Sequence, residues 1–361
     1  DYLLVPTLLY VFAAESMIGI FPGSARWIWA LIFVAINTVV NLLGITSLKL
    51  LNRIFLAIEV VFVVIFVIIA VIALNNGTIP GAEFTTASVW DSSKVTGPLI
   101  ASALSIAVLS FLGFDGISTL AEESTGGRNS AGKAMIIALF IVAFFFVLQT
   151  WLASALAGGR ASFSDSEAGN AFFTLVQAAS NSGWATAFFV VNVLAIGIAN
   201  AMAAQAATSR LLYSMSRDRQ LPKFLSTINS RQVPQAAILT VSALSAILVL
   251  FFVGQIDLIA SLVNFGALFG FMLLHVSVIV HYIGRKKSKN YLLHLVVPIV
   301  GFLIIGYVLL NADAAAKIGG IVWLVIGLGV YLYYRWSGRK TPTLGEATAD
   351  VVPATGERGG L

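Results

Sequence analysis

Long apolar runs alternate with short polar connections along most of the chain. A membrane-spanning helix needs about 20 consecutive, largely apolar residues. The pattern contains ten runs of about this length, and each predicts one transmembrane helix. They cover residues 2–20, 27–44, 51–74, 98–122, 132–157, 182–214, 235–254, 257–283, 291–311 and 318–336. The sequence therefore predicts an all-α protein that crosses a bilayer many times.

The polar segments complete this division of the chain. Residues 75–97 predict an outer loop, and residues 163–180 predict a short surface helix that ends at Asn181-Ser182-Gly183. Residues 338–361 have the composition of a disordered cytoplasmic tail. We therefore expect a single transmembrane domain over residues 1–337.

Composition excludes most other classes of protein. Hydrophobic residues make up 59% of the chain and charged residues only 10%, whereas about a quarter of the residues in soluble domains are charged. The chain lacks cysteine, a glycine-rich phosphate loop and a serine nucleophile elbow. The chain also contains no repeated filter sequence of the kind that would indicate a channel. We therefore expect neither an enzyme nor a cofactor or metal site.

The net charge of +5 is explained by basic residues that set the orientation of the protein in the membrane. If the first run starts inside the cell, inner segments carry 17 of the 21 lysines and arginines. This asymmetry is the positive-inside pattern of proteins in a cytoplasmic membrane. The basic residues form no patch interleaved with aromatic residues, so nucleic acid is not an expected partner.

The run at residues 98–123 contains an interruption halfway along its length. Gly113 and Gly116 flank Asp115, a carboxylate that costs roughly 2.5–3.5 kcal/mol at the centre of a membrane helix. Lipid cannot satisfy irregular backbone, which is tolerated only inside protein or beside a cavity. Secondary transporters bind substrates between two such half-helices. The predicted substrate-binding residues are therefore Phe111, Gly113, Phe114, Asp115 and Gly116. Alternatively, the glycines serve close helix packing and Asp115 is a structural hydrogen-bonding partner.

Two further polar positions lie within spans. Glu59 is surrounded by valine, isoleucine and phenylalanine, and burial would favour its protonated form. It is our candidate for proton coupling, the alternative being a carboxylate held permanently by a neighbouring helix. Asn200 lies in a stripe of small and polar residues, which most often marks a packing face. We retain Asn200 as a weaker substrate-binding candidate.

The charge of this interior restricts the substrate without fixing it. Two buried acids without a basic residue at similar depth favour a proton, sodium or an amine. The N-terminal ends of half-helices instead favour an anionic group such as a carboxylate. Both amino acids and polyamines meet these conditions.

Two segments resemble the amino acid-polyamine-organocation (APC) superfamily of permeases. One is SFLGFDGISTLAEES at 110–124, and the other is ATSRLLYSMSRDRQLPKFLSTINSRQVPQAAI at 207–238. NFGAL at 264–268 and YLLHLVVP at 291–298 look most like the bacterial putrescine-importer branch.

The resemblance implies a leucine-transporter-like fold built from two inverted repeats of five helices. The ten spans would then be helices three to twelve of twelve, with the second repeat at about 98–283 and the first two helices lacking. Some proton-coupled relatives have a lysine where Glu59 stands, so their lysine mechanism cannot be transferred. We expect a transporter of amino acids or polyamines that works by alternating access and takes up its substrate with protons, sodium being the other candidate ion. An exchanger is one alternative, and a binding or signalling protein on a permease scaffold is another.

Overall fold

The computed structural model describes residues 2–21, 23–85, 90, 95–123, 130–158, 160, 163, 170–312 and 314–336. All regular secondary structure in these ranges is helical. Nine of the helices described there are long and apolar enough to cross a membrane, and Val5–Ile20 is a shorter apolar helix. The predicted all-α, many-span fold is therefore confirmed. The predicted tail at 338–361 lies outside the described residues.

Each of the ten predicted runs contains a helix, with boundaries that differ by a few residues. The helices are α1 (Val5–Ile20), α2 (Arg26–Leu43), α3 (Ile45–Asn75), α4 (Gly97–Phe111), α5 (Ser130–Leu156), α6 (Ala171–Ala179), α7 (Ser182–Leu194), α8 (Ala201–Arg217), α9 (Gln235–Phe252), α10 (Ile256–Ile279), α11 (Val297–Leu310) and α12 (Ala314–Trp336). Other helical geometry occurs in the 3₁₀ segments Phe114–Glu123 and Lys223–Ser226 and in the π-helical turns Ala195–Asn200, Val280–Arg285 and Leu292–Val296. Helix α6 is the short helix predicted within 163–180. It buries Leu175 and Val176 in a cluster with α3 and α5, so only part of this helix lies on the protein surface.

Helices α1, α2, α8 and α9 form the central packing unit. Tyr10 and Val11 of α1 are fully buried in one cluster with Phe33 of α2, Ala201 of α8 and Val249 of α9. Ala13, Ala14 and Ala30 also lie in this cluster, and such small side chains let helix backbones approach closely. We call this unit the frame, and α3, α7 and α10 contact it directly.

Amide and hydroxyl side chains hydrogen-bond across the frame. Gln205 of α8 accepts a hydrogen bond from Asn41 Nδ2 at 2.7 Å and donates one from Nε2 to Ser242 Oγ at 2.8 Å. The Thr38 hydroxyl donates to the same Ser242 oxygen at 2.7 Å. Gln205, Asn41 and Ser242 are buried. The network therefore joins α2, α8 and α9 by bonds that lipid could not replace.

A π-helical turn, Ala195–Asn200, joins α7 to α8 at this frame. Gly197 lies so close to α1 and α2 that an added Cβ would stand 2.7 Å from the Phe33 ring and 2.8 Å from Ala13 Cβ. The Gly197 carbonyl accepts a hydrogen bond from Asn37 Nδ2 at 2.7 Å. The side chain from α2 thus satisfies a carbonyl in the stretch where regular α-helical bonding is interrupted.

Contacts between helix ends agree with the predicted membrane sidedness. On the predicted inner side, Gly44 lies against Arg231. On the predicted outer side, the Tyr307 hydroxyl donates to the Gly97 carbonyl at 3.0 Å. Glu15 pairs with Arg26 at 2.7 Å where α1 turns into α2, which accounts for this acid as an outer, interfacial residue.

Candidate functional site

The interruption predicted in the fourth span is a change of backbone geometry at Leu112 and Gly113, which we call the break. Helix α4 ends at Phe111, Leu112 is extended at ψ 137°, and Gly113 has φ +112°. The chain then continues as the 3₁₀ segment from Phe114. The break therefore precedes Asp115 by two residues and lies at one of the two glycines. Gly116 instead lies within the 3₁₀ segment, where its amide donates to the Gly113 carbonyl at 3.0 Å.

Asp115 is held by a residue far away in sequence. The Tyr2 hydroxyl donates to Asp115 Oδ2 at 2.7 Å, and Thr208 of α8 donates to the Tyr2 backbone carbonyl at 2.7 Å. Thr208 is buried. The carboxylate is thus positioned by the segment leading into α1, which is itself fixed to the frame.

Aromatic side chains enclose the break from two other helices. The Phe111 ring meets Phe146 of α5 at 5.2 Å between centroids, nearly edge to face. The Phe114 ring lies 6.0 Å from that of Phe271 in α10. Gly116 faces Ala207 of α8, with an added Cβ 3.9 Å from the alanine methyl. The five predicted residues from Phe111 to Gly116 therefore lie where the break meets α5, α8, α10 and the start of α1.

A second polar contact fixes the first half-helix. Buried Asn264 of α10 donates from Nδ2 to Ser105 Oγ at 2.6 Å and to the Ser105 carbonyl at 3.1 Å. Helix α4 is thereby attached to α10 about two turns before the break. Sequence analysis missed Ser105, Asn264, Tyr2 and Thr208 as a group, because nothing in their local spacing indicates these contacts.

The electrostatics at the break favour a cation. The last carbonyls of an α-helix lack intrahelical partners and carry partial negative charge, and α4 ends there. Asp115 stands in the first turn of the 3₁₀ segment, where its carboxylate opposes the positive end of that segment. Tyr2 occupies one carboxylate oxygen, and no described residue hydrogen-bonds to Oδ1. That oxygen could accept from an ammonium group.

Residues close to Glu59 along α3 contact α7 and α8. One turn further along α3, the Phe62 ring meets Phe188 of α7 at 5.0 Å. Two turns earlier, Leu51 packs against Met202 of α8. Glu59 itself lies on α3 between these two contacts, whose partners are the helices that the π-helical turn Ala195–Asn200 joins. It is partly exposed and has no hydrogen bond or ion pair with any described residue.

Asn200 is the last residue of that π-helical turn, and its side chain is exposed. No hydrogen bond among the described residues connects it to the break or to Glu59. Described hydrogen bonds therefore do not join Asn200 to the five residues around the break, and its binding role stays a prediction. Within the same ranges no group of three or more His, Cys, Asp or Glu side chains could hold a metal ion.

A family model described as amino acid permease matches residues 1–334. The chain belongs to the amino acid permease family. This match covers α1 to α11 and all but the last two residues of α12. The permease is thus a multi-pass membrane transporter rather than an enzyme. Its membership confirms the resemblance seen in the segments at 110–124 and 207–238.

Curated relatives of the permease handle more than one kind of substrate. It is 28% identical to the low-affinity putrescine importer PlaP of Escherichia coli over 92% of this chain and 73% of the importer. It is 26% identical to the branched-chain amino acid permease BcaP of Bacillus subtilis, over 84% of this chain and 63% of the relative. It is also 26% identical to the aromatic amino acid transport protein AroP of Corynebacterium glutamicum, over 63% of this chain and 50% of the relative.

The geometry at the break predicts different tolerances for its two glycines. Replacing Gly113 by alanine should lower the apparent melting temperature of the detergent-purified protein and reduce its uptake rate. No atom lies within 4 Å of the added Cβ, so the penalty is conformational, about 1–3 kcal/mol for φ +112°.

The matched control is Gly116→Ala, whose Cβ would make ordinary van der Waals contact with Ala207. This variant should retain nearly wild-type melting and uptake. Equal sensitivity of the two variants would contradict the assignment of the break to Gly113.

Proposed function

We propose that this permease is a secondary transporter in the cytoplasmic membrane that takes up an amine-bearing solute, an amino acid or a polyamine, by alternating access. The substrate's ammonium group binds at the break, against Asp115 and the C-terminal carbonyls of α4. Residues 98–283 form the second of two inverted repeats. The observation that carries the proposal is the carboxylate at a broken membrane helix, fixed by Tyr2 and open to a further donor.

An ammonium group suits this position better than a carboxylate does. A carboxylate has about four acceptor positions, so the hydrogen bond from Tyr2 leaves capacity for a second donor. The aromatic rings of Phe111 and Phe114 lie on either side of the break, and ring faces attract cations. An incoming anion would meet Asp115 at the end of the 3₁₀ segment that would otherwise attract it. Putrescine and amino acids both present the required amine.

Packing among the frame helices supports the proposal of two repeats. Helices α1 and α2 form one contacting pair, and α8 and α9 form another. In the proposed repeats these are equivalent pairs, and they pack against each other through the buried cluster and the Gln205 network. Two equivalent units around one site are the arrangement that rocking between inward and outward access requires.

The proposed function is tested by uptake into liposomes that hold the full-length protein. Labelled putrescine and a panel of amino acids are offered with and without an inward proton gradient. We expect the gradient to stimulate uptake of at least one of these amines. Uptake only when the liposomes contain internal substrate would replace the importer by an exchanger. No uptake of any kind would favour the non-transporting scaffold.

Removing the charge of Asp115 should weaken binding of the amine. A hydrogen bond to a charged group is worth about 1.5–3 kcal/mol, and Asp115→Asn removes the negative charge that strengthens the bond from the ammonium group. The apparent affinity should therefore fall roughly tenfold or more. Substrate-concentration curves in the liposome assay measure this change.

Asp257→Asn is the control, because Asp257 is an exposed acid at the start of α10. It should leave the affinity unchanged. An unaltered affinity in Asp115→Asn would remove Asp115 from the substrate site.

Glu59 is our proposed coupling residue, since it is an acid within a span and has no described partner. Glu59→Gln cannot bind and release a proton, so gradient-driven accumulation should be abolished while exchange of labelled for unlabelled substrate persists. The ratio of these two rates, measured across external pH, separates coupling from general damage.

Glu83→Gln provides the matched control, because Glu83 is an exposed carboxylate in the connection after α3. Accumulation by this variant should match that of the wild type. If accumulation of the substrate still depends on pH in Glu59→Gln, Glu59 is excluded as the coupling group.

A further inference from the structure

The connection between α10 and α11 carries an unusual concentration of positive charge. Arg285, Lys286, Lys287 and Lys289 fall within five consecutive positions, and all four side chains are exposed. No acidic residue occurs anywhere between Asp257 and Asp313. None of the four cations forms an ion pair with a described residue. Their mutual repulsion is therefore uncompensated within the part of the chain that the structure describes.

This connection is nevertheless held in a definite conformation. The Tyr282 ring stacks on the His294 imidazole at 4.1 Å with an angle of 10°, which joins the two helices across the loop. Ser288 Oγ lies 2.8 Å from His294 Nδ1, and the Ser288 amide donates to the Tyr282 carbonyl at 2.8 Å. The Lys286 ammonium lies 5.3 Å from the centre of the Tyr282 ring. The cations are thus presented by an ordered loop, which reduces the entropy lost when a ligand binds.

Apolar side chains continue directly from the charged loop. Tyr291, Leu292 and Leu293 are 58%, 64% and 57% exposed. They start the next transmembrane segment, so the cations lie at the boundary between the membrane interior and water. A ligand that fits both features carries a negative head and an apolar body.

We propose that this loop and the adjoining turn at Leu292–Val296 bind the headgroup of an anionic phospholipid. The phosphate lies among Lys286, Lys287 and Lys289, and the acyl chains run along the exposed leucines. Clusters of Lys and Arg beside a membrane helix attract anionic lipids in this way. Free phosphate would satisfy the charges but would leave the apolar surface without a partner, so the lipid is the better fit.

The test titrates the detergent-purified full-length protein with phosphatidylglycerol or phosphatidylcholine and counts bound lipids by native mass spectrometry. Wild-type protein should bind phosphatidylglycerol at least tenfold more tightly. The triple variant Lys286→Gln/Lys287→Gln/Lys289→Gln should reduce this preference to less than threefold. Raising the salt concentration should weaken the wild-type preference, because exposed charges are screened.

Two controls separate the lipid site from trivial effects. Arg219→Gln/Lys223→Gln/Arg231→Gln removes three exposed charges from the loop between α8 and α9 and should keep the tenfold preference. If the first triple variant melts earlier than wild type in neutral detergent, Lys287→Gln alone is used, with a twofold to threefold loss expected.

Three results would overturn the proposal. One is an unchanged preference in the variant, and another is an equal loss in the control, which would show that only net charge matters. The third is displacement of the lipid by inorganic phosphate at equal concentration, which would indicate an ion site instead.

Discussion

The absence of water inside a bilayer is the constraint on which this structure depends. Helices in lipid gain little from the hydrophobic effect when they associate, so close packing and hydrogen bonds must hold them together. Gln205 supplies such hydrogen bonds with both polar atoms of its side-chain amide. Its oxygen accepts from Asn41 and its nitrogen donates to Ser242, on two different helices. Gly197 meets the need for close packing, because no larger side chain would fit against Phe33 and Ala13. Together they fix α1, α2, α8 and α9 as one frame.

The broken helix is attached to that frame in a different manner. Its contact with α8 places Gly116 against the Ala207 methyl, so small groups meet there. Its described polar side-chain contacts to other elements include the ties from Tyr2 to Asp115 and from Asn264 to Ser105. At its outer end, the Tyr307 hydroxyl also donates to the Gly97 carbonyl. Helix surfaces that are made of small groups and joined by few hydrogen bonds can slide past each other without exposing many unsatisfied polar groups to lipid. The contrast between a hydrogen-bonded frame and a lightly attached broken helix is what alternating access would require.

The sequence predicted features that depend on local pattern, and it failed where distant residues meet. The spans were predictable because length and apolarity alone identify them, and the interruption was predictable because Asp115 is costly among apolar residues. The location of the break at Gly113 and not at Gly116 depends on backbone dihedral angles that both glycines could adopt. Tyr2 could not be predicted as the partner of Asp115, because 113 positions separate them. The π-helical turns were likewise missed, since apolar periodicity does not distinguish them from regular helix.

The partners of the two predicted acids suggest a division of labour. Asp115 already accepts a hydrogen bond from Tyr2, which orients one carboxylate oxygen and leaves the other without a described donor. Glu59 has no described donor to stabilise its charge, and apolar side chains such as Phe62 lie nearby. If Asp115 binds the substrate and Glu59 couples transport to the proton, as proposed, a variant at one acid need not reproduce the defect caused at the other.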